Sequence, residues 1–408
     1  MLFGQLAQHV VRIGTLTVVD ANGVAHRAGH GSPPAVTVRL HDRSLHWKLF
    51  LHPELHLGEA YMDGRLTIED GTLRNLFEVI SLNYGRYREA PVHRALRRLS
   101  RLLRIIHQHN PVARARKNVA HHYDLSGELY RLFLDKDMQY SCAYFLSEND
   151  SLEAAQDNKK RHIAAKLLLR PGQRVLDIGS GWGGLGLSLA QMAEVDVTGV
   201  TLSAEQQRVA EARAAQAGLS DRVRFRLKDY RDEHGQYDRI VSVGMFEHVG
   251  AKHYREFFRR LKALLKEDGV ALLHSIGRME PPGHTSAWLR KYIFPGGYTP
   301  SMSEVLTAIE EAGLWVTDIE ILRLHYAETL AHWAKRFAHN RERIRALYDE
   351  RFCRMFEFYL TGCEAAFRHC DQMVFQMQIA RRHDAVPIAR DYITDWERAG
   401  TNARSAAA

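Results

Sequence analysis

The chain has 408 residues, of which 45% are hydrophobic and 25% charged, a balance that excludes a disordered protein and is typical of folded globular domains. Its formal net charge of +8 favours an anionic partner, either nucleic acid or an acidic membrane surface. No apolar run approaches the roughly 18–20 residues of a transmembrane helix, and the N-terminal residues lack the pattern of a secretory signal. Four cysteines without zinc-type spacing predict a cytoplasmic location and no metal site.

The first 84 residues predict a small α+β domain. Alternating segments at 15–20 and 36–42 are typical of short strands, and a Gly/Pro-rich loop at 28–34 separates them. Two helical patterns follow, one within residues 53–64 and one that starts at Gly71.

Residues 85–117 form a strongly basic segment. It contains nine arginines and Lys117 but only one acidic residue, Glu89, so this segment carries a net charge of +9. Leucine and isoleucine recur at the spacing of one helix face, and arginines occupy another. Such a helix can lie on anionic lipid. It can equally be a linker helix with solvated arginines, and the sequence pattern leaves both alternatives open.

From about residue 150, strand patterns and helix patterns alternate along the chain. Five apolar strands are predicted, at 173–179, 195–203, 221–229, 237–246 and 269–277. Regular alternation of this kind predicts a parallel, doubly wound α/β sheet with helices on both faces. Residues 327–380 are predicted to be mainly helical.

The segment VLDIGSGWGG at 175–184 predicts a cofactor site at a strand-to-helix turn. Gly179, Gly181 and Gly183 would let a ligand approach the backbone closely. A dinucleotide site would place an acid about 20 residues further on, but the second strand ends in VTGVTLS without one. Asp177 before the glycines matches the DxGxGxG signature of class I methyltransferases. The segment therefore predicts S-adenosylmethionine as the cofactor.

The assignment of S-adenosylmethionine as the cofactor predicts roles for four further side chains. Thr201 and Gln206 are predicted to reach the ribose or the amino-acid portion of the cofactor, and Asp229 and Tyr230 to border its adenine. The structural alternatives are a strand-end hydroxyl for Thr201 and a packing aromatic for Tyr230.

Ten segments between residues 117 and 392 resemble the cyclopropane-fatty-acyl-phospholipid synthases, which include the mycolic acid cyclopropane synthases. Among them are AHHYDLSGELYRLFLD (120–135), MQYSCAYF (138–145), VSVGMFEHVG (241–250), LLHSIG (272–277), YIFPGGYTPS (292–301) and HYAETLAHW (325–333). GEAYMDG at 58–64 is also similar to the N-terminal lipid-binding domain of longer members.

The resemblance implies a class I methyltransferase (Rossmann-like) fold with a small N-terminal α+β domain. The resemblance implies a lipid-binding domain at 1–84 and a catalytic domain at 118–408, and the basic composition of 85–117 predicts an amphipathic linker helix between them. The resemblance also implies a homodimer that is peripheral to the inner face of the cytoplasmic membrane.

The activity implied by the resemblance is transfer of a methylene unit from S-adenosylmethionine to the cis double bond of unsaturated phospholipid acyl chains. Methyl transfer to an alkene leaves a carbocation, which must be kept from water and must lose a proton before the ring closes. The family is understood to hold bicarbonate as the base. Carried onto this sequence, the bicarbonate-binding residues are Cys142, Glu247, His274, Ile276 (through its backbone) and Tyr326.

By the same resemblance, His122 and Tyr123 line the cofactor entrance. Each candidate side chain also has an ordinary structural alternative. Cys142 could be a small buried residue, His274 a hydrogen-bonded core histidine and Tyr326 a packing residue. Their joint occurrence, each inside its own matching motif, favours the site.

Three alternative functions remain compatible with parts of the sequence. A lipid methyltransferase that forms methyl-branched or methylene fatty acids would share most of the motifs. An RNA methyltransferase would fit the basic charge, but no RNA-binding signature accompanies the arginines, so no nucleic-acid partner is predicted. A non-catalytic lipid-binding protein would fit a degenerate fold, which the intact cofactor motif opposes.

Overall fold

The computed structural model describes residues 2–89 and 127–405, with side chains up to residue 399. By packing, these residues form two units. The N-terminal unit contains the described residues up to 89 together with 283–295 and 326–372. The α/β unit contains the described residues of 127–282, 296–325 and 373–405. Within these ranges, no helix combines the length and apolar character needed to cross a membrane.

The N-terminal unit begins with a four-stranded sheet in the order β2-β1-β3-β4. Its strands are β1 (Thr15–Val19), β2 (Ala25–Gly29), β3 (Ala35–Leu40) and β4 (Leu66–Asp70). The neighbouring helices are α1 (Leu2–Val10), α2 (Leu45–Leu51), α3 (Pro53–Met62), α4 (Leu73–Leu82) and α5 (Tyr84–Glu89). Alternate residues of β3 are buried, as the period of a half-buried strand requires. The two predicted strands and two predicted helices are confirmed.

Later parts of the chain complete this unit. They form α11 (Ala287–Tyr292), most of α13 (His325–His339), α14 (Arg341–Leu347) and α15 (Glu350–His369). Helix α15 packs on α3 and α4, where the rings of Phe77 and Phe358 meet edge to face at 4.8 Å. The buried carboxylate of Glu364 accepts hydrogen bonds from Arg74 at 2.6 Å and Arg368 at 2.9 Å. The predicted domains 1–84, 85–117 and 118–408 stay a prediction, and most of the basic segment lies outside the described residues.

The close contact between Gly58 and Trp288 allows this packing to be tested by mutation. A Cβ at Gly58 would overlap the indole of Trp288, which is 2% exposed and donates from Nε1 to Met62 Sδ at 3.3 Å. We expect Gly58→Ala to destabilise the protein by about 1–3 kcal/mol, the usual cost of overpacking, measured as a lower melting temperature. Gly85→Ala is the control, because a Cβ there meets nothing within 4 Å. Equal melting temperatures for the two variants would contradict this packing.

The α/β unit is built on a seven-stranded sheet in the order β10-β11-β9-β8-β5-β6-β7. Its strands are β5 (Arg174–Ile178), β6 (Asp196–Thr201), β7 (Val223–Leu227), β8 (Tyr237–Val243), β9 (Leu265–Arg278), β10 (Trp315–Ile321) and β11 (Gln372–Ala380). Its helices are α6 (Gly127–Phe133), α7 (Leu152–Lys166), α8 (Gly184–Ala193), α9 (Ala204–Gln216), α10 (Tyr254–Leu264), α12 (Met302–Ala312) and α16 (Asp391–Ser405).

Strands β5 to β9 pair with one another in parallel, and alternate residues of β5 pack in two different apolar cores. The predicted doubly wound sheet is confirmed. The chain runs outward from β5 to β6 and β7, then returns to β8 on the other side of β5. This change of direction places a crevice at the carboxyl ends of β5 and β8, where open α/β sheets bind ligands.

The prediction that residues 327–380 are mainly helical is confirmed, except that the last nine residues form a strand. They form β11, which pairs antiparallel with β10. Nearly every residue of β11 is buried, including Gln376 and Gln378, so the alternation of apolar and polar residues at 375–379 does not correspond to one buried and one exposed face.

Candidate active site

The glycine-rich turn after β5 adopts backbone conformations that favour glycine. Gly181 has φ +52° and a Cβ there would meet nothing within 4 Å, so this residue faces open space. Gly183 has φ +82°, and a Cβ there would come within 2.8 Å of the side chains of Phe225 and Ala210. Gly181 therefore leaves room for a ligand, whereas Gly183 lets α8 pack against its neighbours.

A cavity opens at the carboxyl ends of β5, β6, β7 and β8. Seven of the predicted cofactor residues line it: Asp177, Gly179, Gly181, Thr201, Gln206, Asp229 and Tyr230. Gly183 does not line it, for the packing reason just given. His122 and Tyr123 lie outside the described residues. Residues 138–141 supply another wall of the cavity and were not predicted to contact the cofactor.

Two residues that line this cavity, Asp177 and Ser180, each have a buried polar atom that indicates a ligand. Asp177 Oδ2 and Ser180 Oγ are buried without a hydrogen-bond partner among the described residues. Burial raises the pKa of Asp177 to about 7, against the opposing charge of Lys159. Buried polar atoms normally have partners, and S-adenosylmethionine carries an ammonium group and ribose hydroxyls that can donate to them. The residues present therefore fit this cofactor.

The other residues predicted to contact the cofactor are held by their neighbours. Thr201 Oγ1 donates to Gln206 Oε1 at 2.9 Å, and both residues are buried. The Asp229 carboxylate accepts from the Arg231 guanidinium, at 2.9 Å from Nε and 2.8 Å from Nη2. The Tyr230 ring meets the ring of Phe257 edge to face at 5.4 Å. Their positions at the cavity wall are therefore fixed before any ligand binds.

Glu247 lies in a short 3₁₀ helix, Phe246–His248, just after β8. Its Oε1 accepts from the backbone N–H of Ile276 at 2.6 Å. The residue as a whole is partly exposed, but Oε2 is shielded from solvent without a partner in the described part of the chain. Burial raises the pKa of Glu247 to about 7, and the Ile276 N–H opposes this shift. Near neutral pH, this carboxyl can therefore either donate or accept a proton.

His274 lies on β9 opposite Val243 of β8 and is 2% exposed. Its Nδ1 accepts from Gln376 Nε2 at 3.2 Å, and Gln376 Oε1 in turn accepts from Lys166 Nζ at 2.9 Å. Burial, followed by the charges of Lys159 and Lys166, holds the His274 pKa well below its usual value. The ring is therefore neutral at physiological pH, and its proton is carried by Nε2.

The remaining candidates for the anion site differ in their surroundings. Cys142 is 2% exposed, and its thiol donates to the Ala143 carbonyl at 3.3 Å. The carbonyl of Ile276 accepts from Ser275 Oγ at 3.0 Å, so both backbone groups of Ile276 already have protein partners. Tyr326 belongs to the N-terminal unit, where its ring packs on Phe367 at 4.8 Å. The structure thus joins Glu247 directly to Ile276.

Lys159, a fully buried lysine on α7, is not among the site residues predicted from the sequence. Its Nζ donates to Gln139 Oε1 at 2.8 Å and to Ser141 Oγ at 2.7 Å. One signal could have found it. Lys159 follows Leu152 and Ala155 and precedes Ile163 at helical spacing, so it lies in line with three apolar residues of α7.

The fold and this cavity define an S-adenosylmethionine-dependent methyltransferase of class I. A family model described as mycolic acid cyclopropane synthetase matches residues 110–377. The chain belongs to this family.

Individual relatives agree with that assignment. The cyclopropane-fatty-acyl-phospholipid synthase of Escherichia coli is 40% identical over 88% of this chain and 92% of its own. The tuberculostearic acid methyltransferase of Mycobacterium tuberculosis is 36% identical over 90% of this chain and 88% of its own. A solved mycolic acid cyclopropane synthase complexed with SAH and CTAB is 35% identical, with a TM-score of 0.62 over 67% of this chain and 99% of its own. The family and fold predicted from sequence are confirmed.

Proposed function

We propose that this enzyme transfers a methylene unit from S-adenosylmethionine to the cis double bond of unsaturated acyl chains in membrane phospholipids, forming a cyclopropane ring. The observation that carries the proposal is the buried Glu247 carboxyl, held by Ile276 next to a cofactor cavity. The name of the Escherichia coli relative, which aligns over both chains almost completely, supports this choice of substrate.

The cofactor, when bound, would supply the methyl group, whose carbon is electrophilic because it is attached to a sulfonium sulfur. Asp177 Oδ2 and Ser180 Oγ, which lack partners among the described residues, would accept from or donate to its polar groups. Thr201 and Gln206 would hold its ribose or amino-acid portion, and Tyr230 would border the adenine. The chain's own contribution is to fix these groups in position and to keep water from the cavity.

An alkene that gains a methyl group carries positive charge until a proton leaves that methyl. We assign the site of the base to Cys142, Glu247, His274, Ile276 and Tyr326, which would together hold bicarbonate. Glu247 suits this role, because a carboxyl with a pKa of about 7 can share a proton with an anion instead of repelling it. Neutral His274 has one N–H to donate.

The basic charge of the chain suits an anionic membrane surface as the partner. We propose that the enzyme acts at the inner face of the cytoplasmic membrane, bound peripherally and as a homodimer. The lipid-binding role belongs in this proposal to residues 1–84, with residues 85–117 as a basic linker helix and residues 118–408 as the catalytic domain.

Product analysis tests the proposal. The purified protein would be incubated with S-adenosylmethionine, bicarbonate and vesicles of monounsaturated anionic phospholipid, and the acyl chains analysed by mass spectrometry and proton NMR. We expect chains that have gained one CH₂ and that show cyclopropane ring protons. Vesicles of fully saturated phospholipid are the control. Unmodified acyl chains, despite bound cofactor, would refute a phospholipid substrate.

A second candidate is a methyltransferase that forms methyl-branched or methylene fatty acids. It is favoured by the name of the Mycobacterium tuberculosis relative, tuberculostearic acid methyltransferase, which aligns over 90% of this chain. The same NMR spectra separate the two candidates, because a branched chain gives a methyl doublet and a methylene group gives vinyl protons.

A further inference from the structure

Lys159 is an unusual residue for the interior of a protein. Its side chain is completely buried, and among the described residues its ammonium forms no ion pair within 4 Å; its two hydrogen bonds go to the neutral side chains of Gln139 and Ser141. A buried ammonium without a direct counter-ion is costly. Such a group is normally retained because its charge has a use.

Helix α7 uses two side chains to hold the cavity wall at residues 139–141. Lys159 bonds to the side chains of Gln139 and Ser141, and Gln156 Nε2 donates to the backbone carbonyls of the same two residues at 3.2 and 3.0 Å. Gln139 and Ser141 both line the cofactor cavity. The ammonium of Lys159 is therefore one hydrogen bond away from two residues of the cavity wall, the amide of Gln139 and the hydroxyl of Ser141.

Ser141 also approaches the strand ends that lead to Glu247. A Cβ at Gly244 would lie 3.9 Å from Ser141 Cβ, and the Gly244 N–H donates to the His274 carbonyl at 2.9 Å. Because Ser141 Oγ accepts from the ammonium, its own hydrogen is the one that it can donate to a ligand. Polarisation by the ammonium strengthens that donor.

Within the described residues, the charged or titratable groups that face Lys159 are Asp135, Asp137, Cys142, Lys160, Asp177 and His274. Burial lowers the pKa of Lys159 to about 8, and the Asp135 charge opposes the shift. The ammonium is therefore charged at neutral pH and loses its proton as the pH rises above about 8. The charge of Lys159 also contributes to the low pKa of His274, after burial, which indicates that its field extends into the proposed anion site.

We propose that Lys159 is a positioning residue that supplies, through the Ser141 hydroxyl, the positive charge that holds a carboxylate-type anion in the active site. The inference rests on the proposed function for its setting. Two sources share this chemistry: the carboxylate of the S-adenosylmethionine amino-acid portion, and a separate bicarbonate ion.

Binding measurements with Lys159→Met test the proposal and distinguish the two sources. S-adenosylhomocysteine and its decarboxylated analogue would be titrated by calorimetry, and ¹³C-labelled bicarbonate would be followed by NMR. If the anion is the cofactor carboxylate, we expect affinity for S-adenosylhomocysteine to fall about 10- to 100-fold, as for loss of a charge-assisted contact, with the decarboxylated analogue unaffected. If the anion is bicarbonate, only bicarbonate binding should weaken.

Lys159→Arg keeps the charge and provides a pH test. The pH test uses whichever ligand, S-adenosylhomocysteine or bicarbonate, binds more weakly to Lys159→Met. Its affinity for the wild type should fall above pH about 8, whereas its affinity for Lys159→Arg should persist to higher pH. A purely structural lysine would produce no such difference. Lys159→Gln replaces the methionine variant if that variant melts below the assay temperature.

Lys160→Met is the matched control. Lys160 is the next residue on α7, but its ammonium pairs with Asp137 at 2.8 Å and Asp157 at 2.9 Å. Its substitution should leave the affinity ratio of the two cofactor analogues unchanged. The proposal would be overturned if Lys159→Met lost affinity equally for S-adenosylhomocysteine and its decarboxylated analogue. It would also be overturned if Lys159→Met kept its affinity for both of these ligands and for bicarbonate. These assays need no lipid turnover, so absence of a cyclopropane product would count against the proposed function alone.

Discussion

Replacement of Glu247 by glutamine should lower the rate of acyl-chain modification by about 10²- to 10⁴-fold, the range for loss of a group that handles a proton. The amide oxygen can still accept from the Ile276 N–H, so the local backbone should be preserved. The amide nitrogen only donates, however, and it stands where Oε2 now has no partner among the described residues. Affinity for S-adenosylhomocysteine, measured by calorimetry, should keep its wild-type value.

Glu256→Gln provides the comparison for Glu247→Gln. This glutamate of α10 is 55% exposed and pairs with His253 at 3.1 Å, so its substitution should leave the rate unchanged. The pH profile adds a second readout, because a limb near pH 7, where Glu247 titrates, should disappear in Glu247→Gln alone. A fully active Glu247→Gln enzyme would remove this residue from the proposed site.

Asp177→Asn should weaken binding of S-adenosylhomocysteine by about 10- to 100-fold, the loss expected when a charged hydrogen-bond acceptor becomes neutral. Burial raises the pKa of Asp177 to about 7, so the carboxylate form predominates only above that pH. Wild-type affinity should therefore decline as the pH falls below about 7, and affinity in the asparagine variant should not follow this decline. Calorimetry over a pH series measures both effects.

Asp196→Asn is the control for Asp177→Asn, because Asp196 begins the neighbouring strand β6 at the opposite edge of the sheet and is exposed. Its substitution should change neither the affinity nor its pH dependence. If Asp177→Asn bound the cofactor analogue as tightly as the wild type, the unpartnered carboxylate oxygen would need a different explanation.

The sequence predicted the parts of the fold and site that depend on short stretches of chain. The turn at Gly181 needs a local backbone conformation, and alternating strand and helix patterns are local as well. Lys159 was missed because its partners, Gln139 and Ser141, are distant in sequence and a Lys-Lys pair usually indicates a solvated surface. The tautomer of His274 likewise depends on Gln376, about a hundred residues away. Strand β11 was missed although apolar and polar residues alternate at 375–379, which is the period of a strand.

The order in which the chain builds the N-terminal unit has a consequence for synthesis. Its sheet is made first, but Trp288 and helix α15, which cover α3 and α4, come much later in the chain. During translation, the native partners of the apolar surface around Gly58 and Phe77 are complete only after residue 369 has been synthesised. A fragment cut after α5 would therefore expose that surface permanently and should aggregate, so the first ninety residues cannot serve as a transplantable module.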